Sequence, residues 1–213
     1  MEANIFQTFH QASLQQLSEV NPKNTKIFKD SKGEENYTLV ARPESKLVAI
    51  ILDIQKKLKS IDPHHFYYPE KRLHMTIIGG ISLSTSEHTL IGKLQTVLEN
   101  RSLEFDCRGS GTNTSAASLS FYPKGFSLHE LREQIRFKIN EKGTDFTIWI
   151  PTYEYVGWIN FVRYQNVPKN ELLEEIRKYK EEKFGIFSFS KFDLIKTSGL
   201  VLNPEWTTIA HEF

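Results

Sequence analysis

The feature that most constrains this chain is the run "RLHMTII" at residues 72–78, where polar and apolar side chains alternate. On a β-strand this spacing puts His74 and Thr76 on one face and Leu73, Met75 and Ile77 on the other. A second run, "GWINFVR" at Gly157–Arg163, has matching parity. Ile159 and Phe161 make its apolar face, while Trp158 and Asn160 point the other way. Laid over the first run, Trp158 takes the place of His74 and Asn160 that of Thr76. No second His-x-Thr or His-x-Ser occurs in the chain.

The rest of the sequence supplies a regular frame for these two strands. "YTLVA", beginning at Tyr37, reads as a strand punctuated by Pro43. A helix follows with Leu47, Ile51, Ile54 and Leu58 on one face. The loop "IDPHHFYYPEK" feeds the first motif strand, which the pair Gly79 and Gly80 is expected to end. "STSE" at 84–87 and "SLHE" at 127–130 are capping-box patterns. The helices they introduce are lined by Leu90, Leu94 and Val97, and by Leu131, Ile135 and Ile139. "LEFDCRG" and "ASLSFYP" read as strands, and a charged helix starting near Pro168 carries Leu172, Ile176 and Tyr179. The last segment is β-rich, with a turn near Asn203 and Pro204. Strands and helices thus alternate in two similar blocks, which predicts an α+β protein with antiparallel pairing at the C-terminal hairpin. Residues 1–36 read as an appendage, a helix over 3–19 and a polar linker, ahead of one domain over 37–213.

Composition narrows the function classes. With 39% hydrophobic and 12% aromatic residues, the chain can bury a substantial interior, which argues against disorder. A net charge of +1 gives no general attraction for DNA, whereas a small anion or a short stretch of RNA needs only a few local donors. The single cysteine, Cys107, excludes a disulfide framework and a multi-cysteine zinc site, and fits a reducing compartment. No apolar run approaches membrane-spanning length, and the N-terminus lacks a basic leader followed by an apolar core. A soluble, cytoplasmic monomer with no membrane partner is the expectation.

A histidine near its ordinary pKa can give or take a proton, and a threonine two residues along can offer its hydroxyl to a phosphate oxygen. In-line displacement at phosphorus uses two proton handlers on opposite sides, and the indole of Trp158 cannot be one of them. His64 and His65, in a proline-bounded loop, are candidates for the missing group, as are His129 and His211. His129 reads most simply as a solvent-facing residue of a helix N-terminal turn. Tyr67, Tyr68, Tyr153 and Tyr155 are further candidates to line a cleft. Strand parity puts Arg163 on the apolar face with Ile159 and Phe161 unless a bulge intervenes.

The segments "FYYPEKRLHMTIIGG", "LHELREQI" followed by "WINFVR", and "FDLIKTSGLVLNPEWTTIAHEF" together resemble the two-histidine (2H) phosphoesterase superfamily, in the LigT-like group named after 2′-5′ RNA ligase. The resemblance spans residues 37–213. It implies a bilobal fold, two pseudo-symmetric lobes of antiparallel sheet flanked by helices around a central cleft. It also implies a nucleotide or RNA terminus as partner, in the form of a 2′,3′-cyclic phosphate or a 2′-5′ linkage, with no metal and no cofactor. His74 and Thr76 match the first motif and carry over as catalytic residues. Trp158 and Asn160 occupy the second motif and depart from it, so they are expected to bind substrate, with Arg163 as a further contact. Three outcomes stand open at this point: a phosphoesterase relying on His74, an impaired relative that binds nucleotide or RNA without cleaving it, and a fold reused for protein interaction.

Overall fold

The computed structural model describes residues 7–8, 11, 35–81, 86–112, 114–125, 127–139, 154–198, 207–210 and 213. Apart from Gln7, Thr8 and Gln11, which are helical, the expected N-terminal helix and linker lie outside the described residues. So do the turn at Asn203 and Pro204, and residues Tyr153 and His211.

Among the described residues, nine strands form one sheet: β1 (Glu35–Ala41), β2 (Phe66–Tyr67), β3 (Met75–Ile81), β4 (Leu103–Thr112), β5 (Ala116–Pro123), β6 (Gly157–Arg163), β7 (Lys183–Phe189), β8 (Phe192–Ser198) and β9 (Thr207–Ala210). Besides the helical Gln7, Thr8 and Gln11, the described residues include four helices: α1 (Ser45–Ile61), α2 (Glu87–Leu98), α3 (Ser127–Ile139) and α4 (Asn170–Lys178). The strand order β7-β4-β5-β6-β3-β1-β8-β9 is antiparallel throughout and places four strands on either side of the β6–β3 junction, with β2 pairing β6 off this path. The chain is therefore an α+β protein with two similar arms, and the two motif strands lie side by side at its centre.

The helices form where the apolar spacing says they should. Leu47, Ile51, Ile54 and Leu58 are all buried on α1, as are Leu90 and Leu94 on α2 and Leu131 and Ile135 on α3. Each such side chain contributes about 1.5–3 kcal/mol on leaving water. The cap of α2 differs from the expected one: Ser86, not Ser84, accepts from the Thr89 amide at 3.3 Å, because the helix begins at Glu87. Strand β3 also runs past its glycines to Ile81, which pairs with Tyr37. Gly80 adopts a φ of 73°, a left-handed conformation that absorbs an irregularity in the ladder without ending it.

Strands β7 and β8 are separated only by residues 190 and 191, yet they do not pair with each other. In a flat sheet they would lie six strand spacings apart, roughly 29 Å at about 4.8 Å each. Three residue steps reach at most about 11 Å. The sheet is therefore strongly coiled, and its arms converge where residues 189–192 cross. The crossing is fastened by the Arg42 amide, which donates to the Lys191 carbonyl at 2.9 Å. Phe189 and Phe192, at its two ends, belong to one continuous core.

Candidate functional site

Strand β3 pairs with β6 through Met75 and Ile159, both fully buried on the core side. Continuing that antiparallel register one step each way sets Thr76 opposite Trp158 and His74 opposite Asn160. All four are half-buried on the sheet face away from Met75 and Ile159. His74 and Trp158 are thus diagonal neighbours, roughly 7–8 Å apart by strand geometry. The Met75–Ile159 pair marks a local two-fold that relates His74 to Trp158 and Thr76 to Asn160.

The two-fold extends to the backbone. In the β1–β3 ladder, Leu39 pairs with Ile78 but Val40 with Thr76, so Ile77 is an extra residue. In the β5–β6 ladder, Ala117 pairs with Val162 but Ser118 with Asn160, so Phe161 is the extra residue. Both bulges produce consecutive buried residues, Ile77–Ile78 and Phe161–Val162. Each bulged carbonyl is held by a buried side chain from a helix. Gln55 of α1 donates to the Phe161 carbonyl at 2.6 Å and to the Tyr68 carbonyl at 2.9 Å. Arg132 of α3 donates to the Ile77 carbonyl at 2.8 Å and to that of Thr76 at 3.2 Å.

The bulge at Phe161 decides where Arg163 goes. It shifts the alternation by one, so Arg163 returns to the face of Trp158 and Asn160, not to the apolar face that uninterrupted parity gives. There Arg163 Nε donates to the Tyr68 hydroxyl at 2.7 Å. The Tyr68 ring in turn meets His74 edge-to-face, with centroids 6.4 Å apart. Arg42, at the end of β1, approaches from the other side, held by Asp193 at 2.6 Å and by the Lys71 carbonyl at 3.1 Å.

His74 is set up as a base. Its Nδ1 lies 2.7 Å from the Arg72 carbonyl, which can only accept, so Nδ1 carries the proton and Nε2 is the basic atom of the neutral ring. Burial pushes its pKa down to about 4; the Arg72 bond opposes this, while the Arg42 and Arg163 charges add to it. At neutral pH the ring is therefore uncharged, and its surroundings carry positive potential.

The other histidines have different duties. His65 is buried, bonded to Asp62 at 3.1 Å and edge-on to Tyr164, and burial holds its pKa below the ordinary value against the pull of Asp62. It is a core residue; its neighbour His64 is exposed. His129, in the first turn of α3, is partly exposed and also has partners: its ring lies 4.8 Å from that of Tyr155, and Nδ1 is 3.3 Å from Glu154. Ligand atoms of His129, Glu133 and Glu154 fall within 4.8 Å of one another, a spacing suited to a cation. The Arg136 guanidinium already fills that role, pairing with both carboxylates.

Sequence reasoning passed over Arg42, whose signal was only a basic residue at a strand end, and left Tyr68 undistinguished among eight tyrosines. Several solved structures share this arrangement of strands. LigT of E. coli complexed with ATP aligns over 83% of this chain and 96% of its own, at 11% identity and a TM-score of 0.54. The fold is that of LigT. TT0787 of Thermus thermophilus aligns over 83% of this chain and 96% of its own, at 13% identity and a TM-score of 0.61. LigT complexed with 3′-AMP aligns over 83% and 96%, at 10% identity and a TM-score of 0.52. No protein-family model matches the sequence, and no curated protein does. No helix among the described residues is long and apolar enough to cross a membrane.

Proposed function

We propose that this chain, with its LigT-like fold, binds a phosphorylated nucleotide end, a 2′,3′-cyclic phosphate or 2′-5′ linkage on RNA, and turns it over slowly if at all. One observation carries the reading: the register about Met75 and Ile159 gathers His74, Thr76, Trp158 and Asn160 on one sheet face, with Arg163 brought to them by a bulge. In this reading Thr76 and Asn160 hydrogen-bond the phosphate, Arg163 supplies charge, and Trp158 stacks on the base for about 1–3 kcal/mol.

His74 Nε2 takes a proton from the attacking hydroxyl or water. In this reading the position that would protonate the departing oxygen is held by Trp158, whose indole has no group that titrates near neutral pH. Losing one proton handler costs about 10²–10⁴-fold in rate, whereas binding needs only the donors that remain. LigT, a neighbour in fold, is seen with ATP and with 3′-AMP, which favours a nucleotide as the ligand class here too. The site belongs to the domain expected over residues 37–213, which β1 extends to Glu35, acting as a cytoplasmic monomer without metal or cofactor, with the segment ahead of β1 as an appendage.

Calorimetry with 3′-AMP, 2′,3′-cyclic AMP and a 2′-5′ dinucleotide, alongside a turnover assay, tests this. Binding is expected, with residual turnover abolished in His74→Ala. No heat of binding at millimolar ligand, or turnover unchanged in His74→Ala, would defeat it.

A further inference from the structure

Building on the nucleotide reading, we propose that the site is polarised along the strands. The ligand's phosphate, within reach of both Thr76 and Asn160, is drawn off the local two-fold towards a cradle formed by Tyr68 and Arg163 beside His74, and its base lies at the Trp158 end. The preferred ligand is then a nucleotide ending in a phosphomonoester.

The two-fold that relates His74 to Trp158 and Thr76 to Asn160 also relates Arg163 to Gly79. One end of the site thus holds His74, Asn160 and Arg163, with Tyr68 and Arg42 adjoining. The other holds Trp158 and Thr76, and the matching backbone position there has no side chain. The atoms nearest to a Cβ at Gly79 would be those of Thr38 and Thr76, at 3.6 Å, so the position has room for a side chain. Among the described residues, the cationic side chains of the site lie at one end and its indole at the other.

Tyr68 gives the charged end its specificity. The residue is 6% exposed, and its oxygen accepts from Arg163 Nε at 2.7 Å. An oxygen that accepts from a cation keeps its own proton to donate, and among the described residues that proton has no acceptor. That proton is available to a phosphate oxygen placed beside His74. Positive potential at this end favours a monoester, which carries nearly two charges at neutral pH, over a diester carrying one.

The test is titration of the full chain with 3′-AMP, 2′,3′-cyclic AMP, adenosine and inorganic phosphate, on wild type, Tyr68→Phe, Arg163→Gln and Trp158→Leu. Tyr68→Phe should weaken 3′-AMP about ten- to a hundredfold and leave adenosine within about twofold. Arg163→Gln should act in the same direction. Trp158→Leu should weaken adenosine and 3′-AMP alike and spare inorganic phosphate. Wild type should prefer 3′-AMP to the cyclic diester. Thermal melts identify any variant that fails to fold, and Arg163→Gln then replaces Tyr68→Phe. Unchanged 3′-AMP affinity in a folded Tyr68→Phe, or equal losses for adenosine and 3′-AMP, would overturn the polarity and leave nucleotide binding standing. Wild type binding none of the four ligands would remove both.

Discussion

Protonating His74 inside the folded chain is unfavourable, and the consequence can be measured without a substrate. Its pKa is pushed down to about 4 from an ordinary 6.5. Between those values the unfolded chain binds a proton that the folded chain refuses, so stability rises with pH across this window. The contribution is fully present above pH 6.5, is lost as pH falls towards 4, and is flat below. At ~1.36 kcal/mol per pH unit the difference is about 2–3 kcal/mol, once solvent screening at a half-buried ring is allowed for. Urea unfolding of wild type and His74→Gln at pH 7.5 and pH 4 isolates it, because other titrating groups, His65 among them, are common to both proteins. Wild type should lose about 2–3 kcal/mol more than the variant on acidification. A saturating anion at the site should oppose the two arginines and raise the pKa, which histidine proton NMR would follow. If the two proteins lose stability equally, to within about 0.5 kcal/mol, the ring is not held neutral by its surroundings, and its assignment as a preformed base is wrong.

Replacing Gln55 by Leu removes the side-chain donor from two buried carbonyls, of which only that of Phe161 keeps a second donor, the Tyr68 amide. A loss of about 2 kcal/mol is expected, or roughly 4–8 °C in melting temperature; a shift under about 1 °C would contradict it. Restoring the second motif with Trp158→His and Asn160→Thr should raise turnover of 2′,3′-cyclic nucleotides by about 10²–10⁴-fold, and an unchanged rate would mean that the missing proton handler is not what limits this site. The Cys107 thiol is buried, and burial pushes its pKa up, so thiol reagents should modify it only when the chain unfolds. Rapid labelling in native buffer would count against its placement in the core.

Much of this arrangement could be read from the residues because one face of each motif strand is committed to the core. With Met75, Ile77, Ile159 and Phe161 buried, the face of His74, Thr76, Trp158 and Asn160 follows from a period of two. Arg163 escaped that logic because a bulge is a property of a ladder, set by how β5 pairs with β6, and no local pattern in "GWINFVR" announces it. Ser84 looked like a cap by spacing alone, but the helix start is fixed by where Leu90 must point, which makes Ser86 the cap. His65 and His129 carry the side chains that catalysis uses, yet their neighbours Asp62, Tyr164, Glu154 and Tyr155 give them structural partners that only the folded chain brings near. Arg42 and Tyr68 reach His74 from different segments, a juxtaposition that topology creates.

The crossing at residues 189–192 has a bearing on how the molecule is assembled. Strand β1, from the front of the chain, is flanked by β3 on one side and by β8 on the other, with Glu35 paired to Ser198. The arm carrying His74 is therefore stitched from segments far apart along the polypeptide, so a nascent chain on the ribosome holds β1 with one open edge until residues 192–198 have emerged. Such non-local closure slows folding and leaves a strand edge exposed meanwhile. Severing the chain between the two motif strands would yield fragments that each lack part of their own sheet, so neither should fold without the other.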